Sequence, residues 1–441
     1  MVWKRIPPAL LFGLAIRAVF DVVRLVHYLR PTFETRSSWD SLEAGITVAT
    51  SVLVISGALQ LVKLRGHRIE IWIVIGAELG QLALAVAYAA FNFWLQTHEP
   101  SGGLGKAFEY FVFADAAITT ASAIGFGLIS GSRALAIVLP AIAVIGVPIP
   151  PLADAMWGGR GLGFTTTVLI RLAPYVVLAL GSLAATNVAA RTLASPTDEP
   201  AERPFEQAAR ALWLRVIAAV SLAGVTLLAM SAGAGFASLF KLVTIMGPLV
   251  DAIALAAFAR AALGLSRANV SRWLGLAAAT GALWCAGVML SRIPIAYEFA
   301  YPSARTGGFI GMFDSDDAVR LATAYAITVP LVAAISIGLV LIAITGLARR
   351  RNLDDVRENA SVRTGAFVVL ALGSLFIAHY GLAQIAFGMT NGMLLLAVVA
   401  AAGASIYALV IAAKLCEQAR AIVSSDPTGL PAATLIKDSS K

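Results

Sequence analysis

Charged side chains are scarce in this chain. Asp, Glu, Lys and Arg make up 13% of its 441 residues, about half the share usual in soluble domains. So few charges cannot cover a water-facing surface of this size, and the 59% of residues that are hydrophobic must face another medium. A soluble globular protein and a disordered chain are excluded. A nucleic-acid binder is excluded too. The net charge of +8 comes from basic residues placed between apolar runs, the pattern of membrane loops rather than of a phosphate-binding patch.

Cysteine and histidine are nearly absent. Cys285 and Cys416 each lie in or beside an apolar run, so neither a disulfide nor a metal framework is implied. His27, His67, His98 and His379 are too scattered for paired haem ligation. Neither HExxH nor CxxC occurs, and no cofactor or metal is expected. SGGLGKAF around Lys106 imitates a phosphate loop, but Pro100 stands where the first glycine is required and Ala107 where Ser or Thr is. The Gly-Ser-Leu tripeptides lack the context of a nucleophile elbow. Without convergent nucleophiles, acids or metal ligands, the chain does not read as an enzyme.

What is present is a series of apolar runs, each near the ~20 residues that cross a bilayer as a helix. Twelve can be drawn: 6–29, 42–62, 70–95, 109–130, 134–153, 163–190, 211–230, 237–259, 273–291, 321–347, 364–386 and 392–413. The expected fold is an all-α polytopic membrane bundle of about twelve transmembrane helices. With the N-terminus inside, 21 of the 33 Lys and Arg residues fall on inner segments and 7 on outer ones, the asymmetry that orients membrane proteins. Both termini are therefore expected in the cytoplasm, in an inner membrane. Arg outnumbers Lys 26 to 7, as in proteins of GC-rich bacteria. In the first run, Arg17 and Asp21 interrupt what would resemble a signal peptide, and no small-x-small site follows, so the segment is expected to be retained. Arg17, Asp21 and Arg24 share one helix face. That stripe faces either a bundle interior or, if the helix lies in the interface, the lipid headgroups; the latter leaves eleven spans.

Residues 194–209, ASPTDEPAERPFEQAA, read as a polar inner linker between a first membrane half, 1–193, and a second, 210–422. Residues 423–441 form a polar tail. The outer segment of about 291–317 is long enough to act as a lid or gate. One internal echo stands out. Arg171-Leu-Ala-Pro-Tyr175 followed by VVLALGSL is matched by Arg363-Thr-Gly-Ala-Phe367 followed by VVLALGSL, nine identities in thirteen positions. It pairs the sixth run with the eleventh, and a repeat of five helices would be inverted, a recurring design of secondary transporters. A division into six plus six around the linker fits the helix count as well.

Ionisable groups within spans are costly and face a cavity or a partner. Glu78, Asp115 and Asp251 are candidate proton or cation sites, with Arg171 and Lys241 as counter-charges or anion anchors. The alternative is that they are structural ion pairs locking helices together. Glu78 also sits between Gly76 and Gly80, and Gly127 and Gly131 repeat that spacing, which lets helices approach closely. His379, clustered with Tyr380 and Gln384, is the group best suited to titrate near neutral pH. Pro140, Pro148 and Pro330 interrupt spans, where broken helices expose backbone groups. Asp314, Asp316 and Asp317 are gating-loop candidates that also suit a helix start. The composite expectation is an ion-gradient-driven secondary transporter of a small solute or ion, held in the lipid bilayer. The rival is a membrane scaffold, sensor or assembly subunit that moves nothing.

Overall fold

Twelve α-helices account for nearly all of the backbone described by the computed structural model, which covers residues 7–28, 36–97, 104–147, 164–190, 202–232, 237–267, 271–291, 315–350, 354–386 and 391–424. In chain order they are α1 Pro8–Tyr28, α2 Arg36–Arg65, α3 Ile69–Thr97, α4 Leu104–Ile129, α5 Arg133–Gly146 and α6 Phe164–Ala190. They continue with α7 Glu202–Ala232, α8 Ala237–Arg267, α9 Arg272–Ser291, α10 Ser315–Arg350, α11 Asp354–Ala386 and α12 Asn391–Ser424. No strand occurs among the described residues. Each helix overlies one of the twelve apolar runs. Among the described residues, nine of them are long and apolar enough to cross a bilayer. The chain is a polytopic, all-helical membrane protein.

The chain divides into two compact units, Met1–Thr197 and Asp198–Lys441. In the first, α1 packs on α2, α2 on α3, α3 on α4, α4 on α5, α5 on α6, and α6 returns to α1; α4 also touches α6. In the second, α7 through α12 pack in the same sequential circuit, α12 returns to α7, and α10 also touches α12. The two units thus share one wiring, down to the contact between their fourth and sixth helices. Against it, the Arg171/Arg363 echo joins helices in unlike positions. α6 is the closing helix of its circuit, whereas α11 lies between α10 and α12.

Side chains explain the first unit's circuit. α1 buries Leu10, Leu14 and Ala18 and exposes Val19, Val22, Val23 and Val26. The valine face is exposed, and the Arg17–Asp21–Arg24 stripe turns into the bundle. α1 is packed between α2 and α6. Glycines set the closest crossings. A Cβ on Gly57 would come within 2.7 Å of the Leu10 Cα, and one on Gly13 within 2.9 Å of the Leu53 Cβ. At the small-residue pairs, Gly80 faces Ile118 and Gly127 faces Ala136, but Gly76 and Gly131 have open space beside them. Gly131 instead takes a left-handed φ of 67°, as Gly66 does at 80°, each just past a helix end where glycine reverses the chain.

Two expectations need correction. The segment 194–209 is helical from Glu202 onward, because Pro204 is tolerated in a first helical turn and Phe205, Ala208, Ala209 and Leu212 form a buried face; residues 191–201 lie outside the described ones. Helices α5 and α10 run unbroken through Pro140 and Pro330. Pro148, the tail beyond Ser424 and the outer segment 292–314 lie outside the described residues.

Arg65, the last residue of α2, donates to the carbonyls of Ile129 at 3.1 Å and Ala189 at 3.0 Å. One guanidinium thus binds the C-terminal ends of α4 and α6, where free carbonyls and the helix dipoles favour a cation. α2, α4 and α6 therefore end at the same level. Arg65→Met keeps the aliphatic stem and withdraws both donors, and should cost about 2 kcal/mol of stability. Arg68→Met, at a mostly exposed side chain whose nearest acid, Glu70, is 3.8 Å away, should cost well under about 1 kcal/mol. Thermal unfolding in detergent micelles compares the two; equal midpoints would refute the capping role.

Candidate functional site

The polar face of α1 organises the interior of the first unit. Arg17 is the tenth residue of the 21-residue α1, so it stands at mid-helix. Its guanidinium forms a two-pronged pair with Glu78 of α3, NH1 to Oε1 at 2.7 Å and NH2 to Oε2 at 2.6 Å. NH2 also donates to the hydroxyl of Ser51 on α2 at 3.1 Å. The Glu78 side chain is completely buried. Both of its oxygens are engaged, which is the geometry that makes a guanidinium–carboxylate pair strong and directional.

One turn along α1, the network continues towards the end of the unit opposite Arg65. Asp21 lies in electrostatic reach of Arg17, Arg24 and Asp115. Arg24 pairs with Glu43 of α2 at 3.0 Å, and its guanidinium carbon lies 5.9 Å from the centre of the Tyr175 ring on α6. Asp115 of α4 accepts two hydrogen bonds from neutral donors: Gln81 Nε2 of α3 at 3.2 Å on Oδ1, and the Tyr175 hydroxyl at 2.5 Å on Oδ2. Five of the six helices of the unit contribute a polar group, α5 being the exception. The network runs from Glu78 and Arg17 at mid-helix to Asp115 and Tyr175, each the twelfth residue of its helix.

The second unit holds a separate pair. Arg215 of α7 grips Asp251 of α8, Nε to Oδ1 at 2.5 Å and NH2 to Oδ2 at 3.1 Å. Its circuit is closed between α7 and α12 by polar contacts: Trp213 Nε1 donates to Glu417 Oε1 at 2.7 Å, and Glu206 meets Arg420 at 3.6 Å. Cys285 and Cys416 are buried free thiols. Among the described residues no group of His, Cys, Asp and Glu is arranged to hold a metal.

Of the sequence candidates, the structure brings Glu78 and Asp115 into one network and puts Asp251 in the other unit. Arg171, Lys241 and His379 lie on α6, α8 and α11, and Asp316 and Asp317 fall in the first turn of α10; their side chains, and Asp314 altogether, are outside the described residues. Several partners were not singled out as site residues by sequence: Arg17, Asp21, Arg24, Glu43, Ser51, Gln81, Tyr175 and Arg215. The stripe at 17, 21 and 24 signalled the first three, and Tyr175 lay within the echo, opposite an apolar Phe367. Gln81 and Ser51 carried no signal, because a polar neutral residue in a span is common.

No family model matches the chain, and no curated protein or solved structure shows significant similarity to it.

Proposed function

We propose that the protein is a secondary transporter, moving a small solute across a bacterial inner membrane in exchange for the free energy of an ion gradient. The observation that carries this reading is the polar network of Arg17, Asp21, Glu78, Gln81, Asp115 and Tyr175, drawn from neighbouring helices and lying inside a unit whose outer faces are apolar. Polar and ionisable groups buried at such depth mark ion and substrate pathways in membrane proteins. The wiring shared by the two units supports a parallel repeat of six plus six helices, another architecture in which transporters are built, over the inverted five-plus-five repeat. The excess of Lys and Arg on one set of loops supports cytoplasmic termini and twelve spans. We assign the protein no catalysis and no cofactor.

A second reading has its own observation. The bidentate pairs Arg17–Glu78 and Arg215–Asp251 satisfy each other fully, as static locks in a scaffold or sensor would. Purified protein reconstituted into liposomes with an imposed proton gradient separates the two. The transporter reading expects gradient-dependent flux of a solute from a panel of small organic acids, amines and sugars, together with solute-dependent thermal stabilisation. Neither flux nor stabilisation across the panel leaves the scaffold.

A further inference from the structure

Glu78, Asp251, Asp115 and Asp21 are not equivalent, and their partners say which of them can change charge. Glu78 and Asp251 each accept two charge-assisted hydrogen bonds from an arginine. Adding a proton to either would give up one of those bonds and leave a guanidinium without its counter-charge in an apolar interior, where an unpaired charge is costly. Asp115 has no such tie. Its two hydrogen bonds come from an amide and a phenol, both uncharged, and protonating it strands no cation. Asp21 is in electrostatic reach of it and of both Arg17 and Arg24.

We propose that Asp115 is the proton-carrying group of this protein, exchanging its proton against the Tyr175 hydroxyl beside Asp21, while Glu78 and Asp251 remain ionised as fixed counter-ions of Arg17 and Arg215. A proton arriving from water adds to Asp115 Oδ2. The hydrogen bond to Tyr175 then reverses, Oδ2–H donating to the phenol oxygen, whose own proton turns away. Gln81 Nε2 continues to donate to Oδ1. No bond other than O–H is made or broken, and release runs the same path backwards.

The groups around Asp115 can be stated helix by helix. α3 contributes Glu78 and Gln81; α6 contributes Tyr175. α1 contributes Arg17, Asp21 and Arg24, and α2 brings Ser51, together with Glu43 through Arg24. α5 packs on α4 as well, but its one charged residue, Arg133, starts that helix at the opposite end of the unit. Arg17 and Arg24 are engaged by Glu78 and Glu43, which leaves the Asp21–Asp115 neighbourhood with two carboxylates that have no bidentate arginine of their own. Two ionised carboxylates in electrostatic reach of each other disfavour each other, and a single proton relieves both. The position suits the role. Asp115 stands mid-way along α4, on the side of Glu78 away from Arg65, and Gln81 links it to the helix that carries Glu78.

The proposal rests on the transporter reading for its biological use but not for its chemistry, and the test separates the two. Infrared difference spectra of the purified full chain in lipid, between alkaline and acidic buffer, report buried carboxyl groups through the carbonyl band of the protonated acid. One such band is expected. It should shift with isotope-labelled aspartate and not with labelled glutamate, vanish in Asp115→Asn, and persist in Glu78→Gln and Asp251→Asn. Tyr175→Phe keeps the acid and removes its partner, so it should displace the band in frequency; this assigns the site even if Asp115→Asn fails to fold. A band that follows glutamate labelling, that survives Asp115→Asn, or that is lost instead in Asp21→Asn or Asp251→Asn would overturn the proposal. So would the absence of any titrating carboxyl band. Proton exchange at Asp115 without solute flux in liposomes would sink the transporter reading alone; flux with no titrating Asp115 would sink this one alone.

Discussion

Arg17→Met is expected to lower the stability of the protein by about 3–5 kcal/mol, the cost of breaking a buried ion pair from one side. The reason lies in what stays behind. Glu78 has no exposed side-chain surface, and both of its oxygens are held by the Arg17 guanidinium. Without that partner a fully buried carboxylate remains at mid-helix with neither oxygen held. Glu78→Gln should cost less, because the amide oxygen still accepts one of the two bonds and Ser51 still accepts another from Arg17. The double variant Arg17→Met/Glu78→Met should recover most of the loss, since replacing both partners of a buried pair by apolar side chains is often neutral or stabilising. Denaturant titration in micelles measures all three. A pair that merely decorates the interior would leave the single variants unchanged, and a double variant as weak as the sum of the singles would show that the two side chains are not coupled.

Gly57→Val should be nearly as damaging, by a route that involves no charge. A Cβ at Gly57 would meet the Leu10 Cα at 2.7 Å. The obstacle is backbone, so no rotamer change relieves it; α1 as a whole would have to move away from α2. Overpacking alone costs about 1–3 kcal/mol. Here the shift also pulls Arg17 away from Glu78 and Arg24 from Glu43, so a total of about 3 kcal/mol or more is expected. Gly76→Val is the control, since nothing lies within 4 Å of that position; its effect should stay near the few tenths to about 1 kcal/mol of ordinary helix propensity. Two readouts apply: the unfolding midpoint, and cleavage of α1 by trypsin at Arg17 and Arg24, which should accelerate in Gly57→Val only. Equal behaviour of the two valine variants would mean that the α1–α2 crossing is not a tight one.

Much of the architecture was legible before any coordinates. Scarce charge excluded water as the main solvent. The apolar runs marked twelve helices, because a span must satisfy its backbone internally and show lipid an apolar surface over a length set by the bilayer. The helix ends were less legible. Glu202–Ala209 looks polar as a string, yet it forms helix because its apolar residues fall on one buried face. The recurrence at Arg17, Asp21 and Arg24 showed a shared face on α1, though not whether water or protein would cover it. Glu78 read equally well as a buried charge and as a bystander between two glycines. The echo around Tyr175 suggested a five-helix repeat that the circuits of contact do not follow.

What the chain determined by itself is therefore local: medium, helix number, approximate spans, and the faces on which charges sit. These follow from properties of one helix, its composition and its period of 3.6 residues. Which charges meet was decided only by the tertiary structure. Arg17 and Glu78 are 61 residues apart, Asp115 and Tyr175 are 60, and Arg65 reaches across 124 residues to Ala189. Those meetings depend on the order in which six helices close into a circuit, with α6 returning to α1. No single helix encodes that order, because an arginine in an apolar run pairs with whichever carboxylate the packing of small residues such as Gly13 and Gly57 brings to its depth.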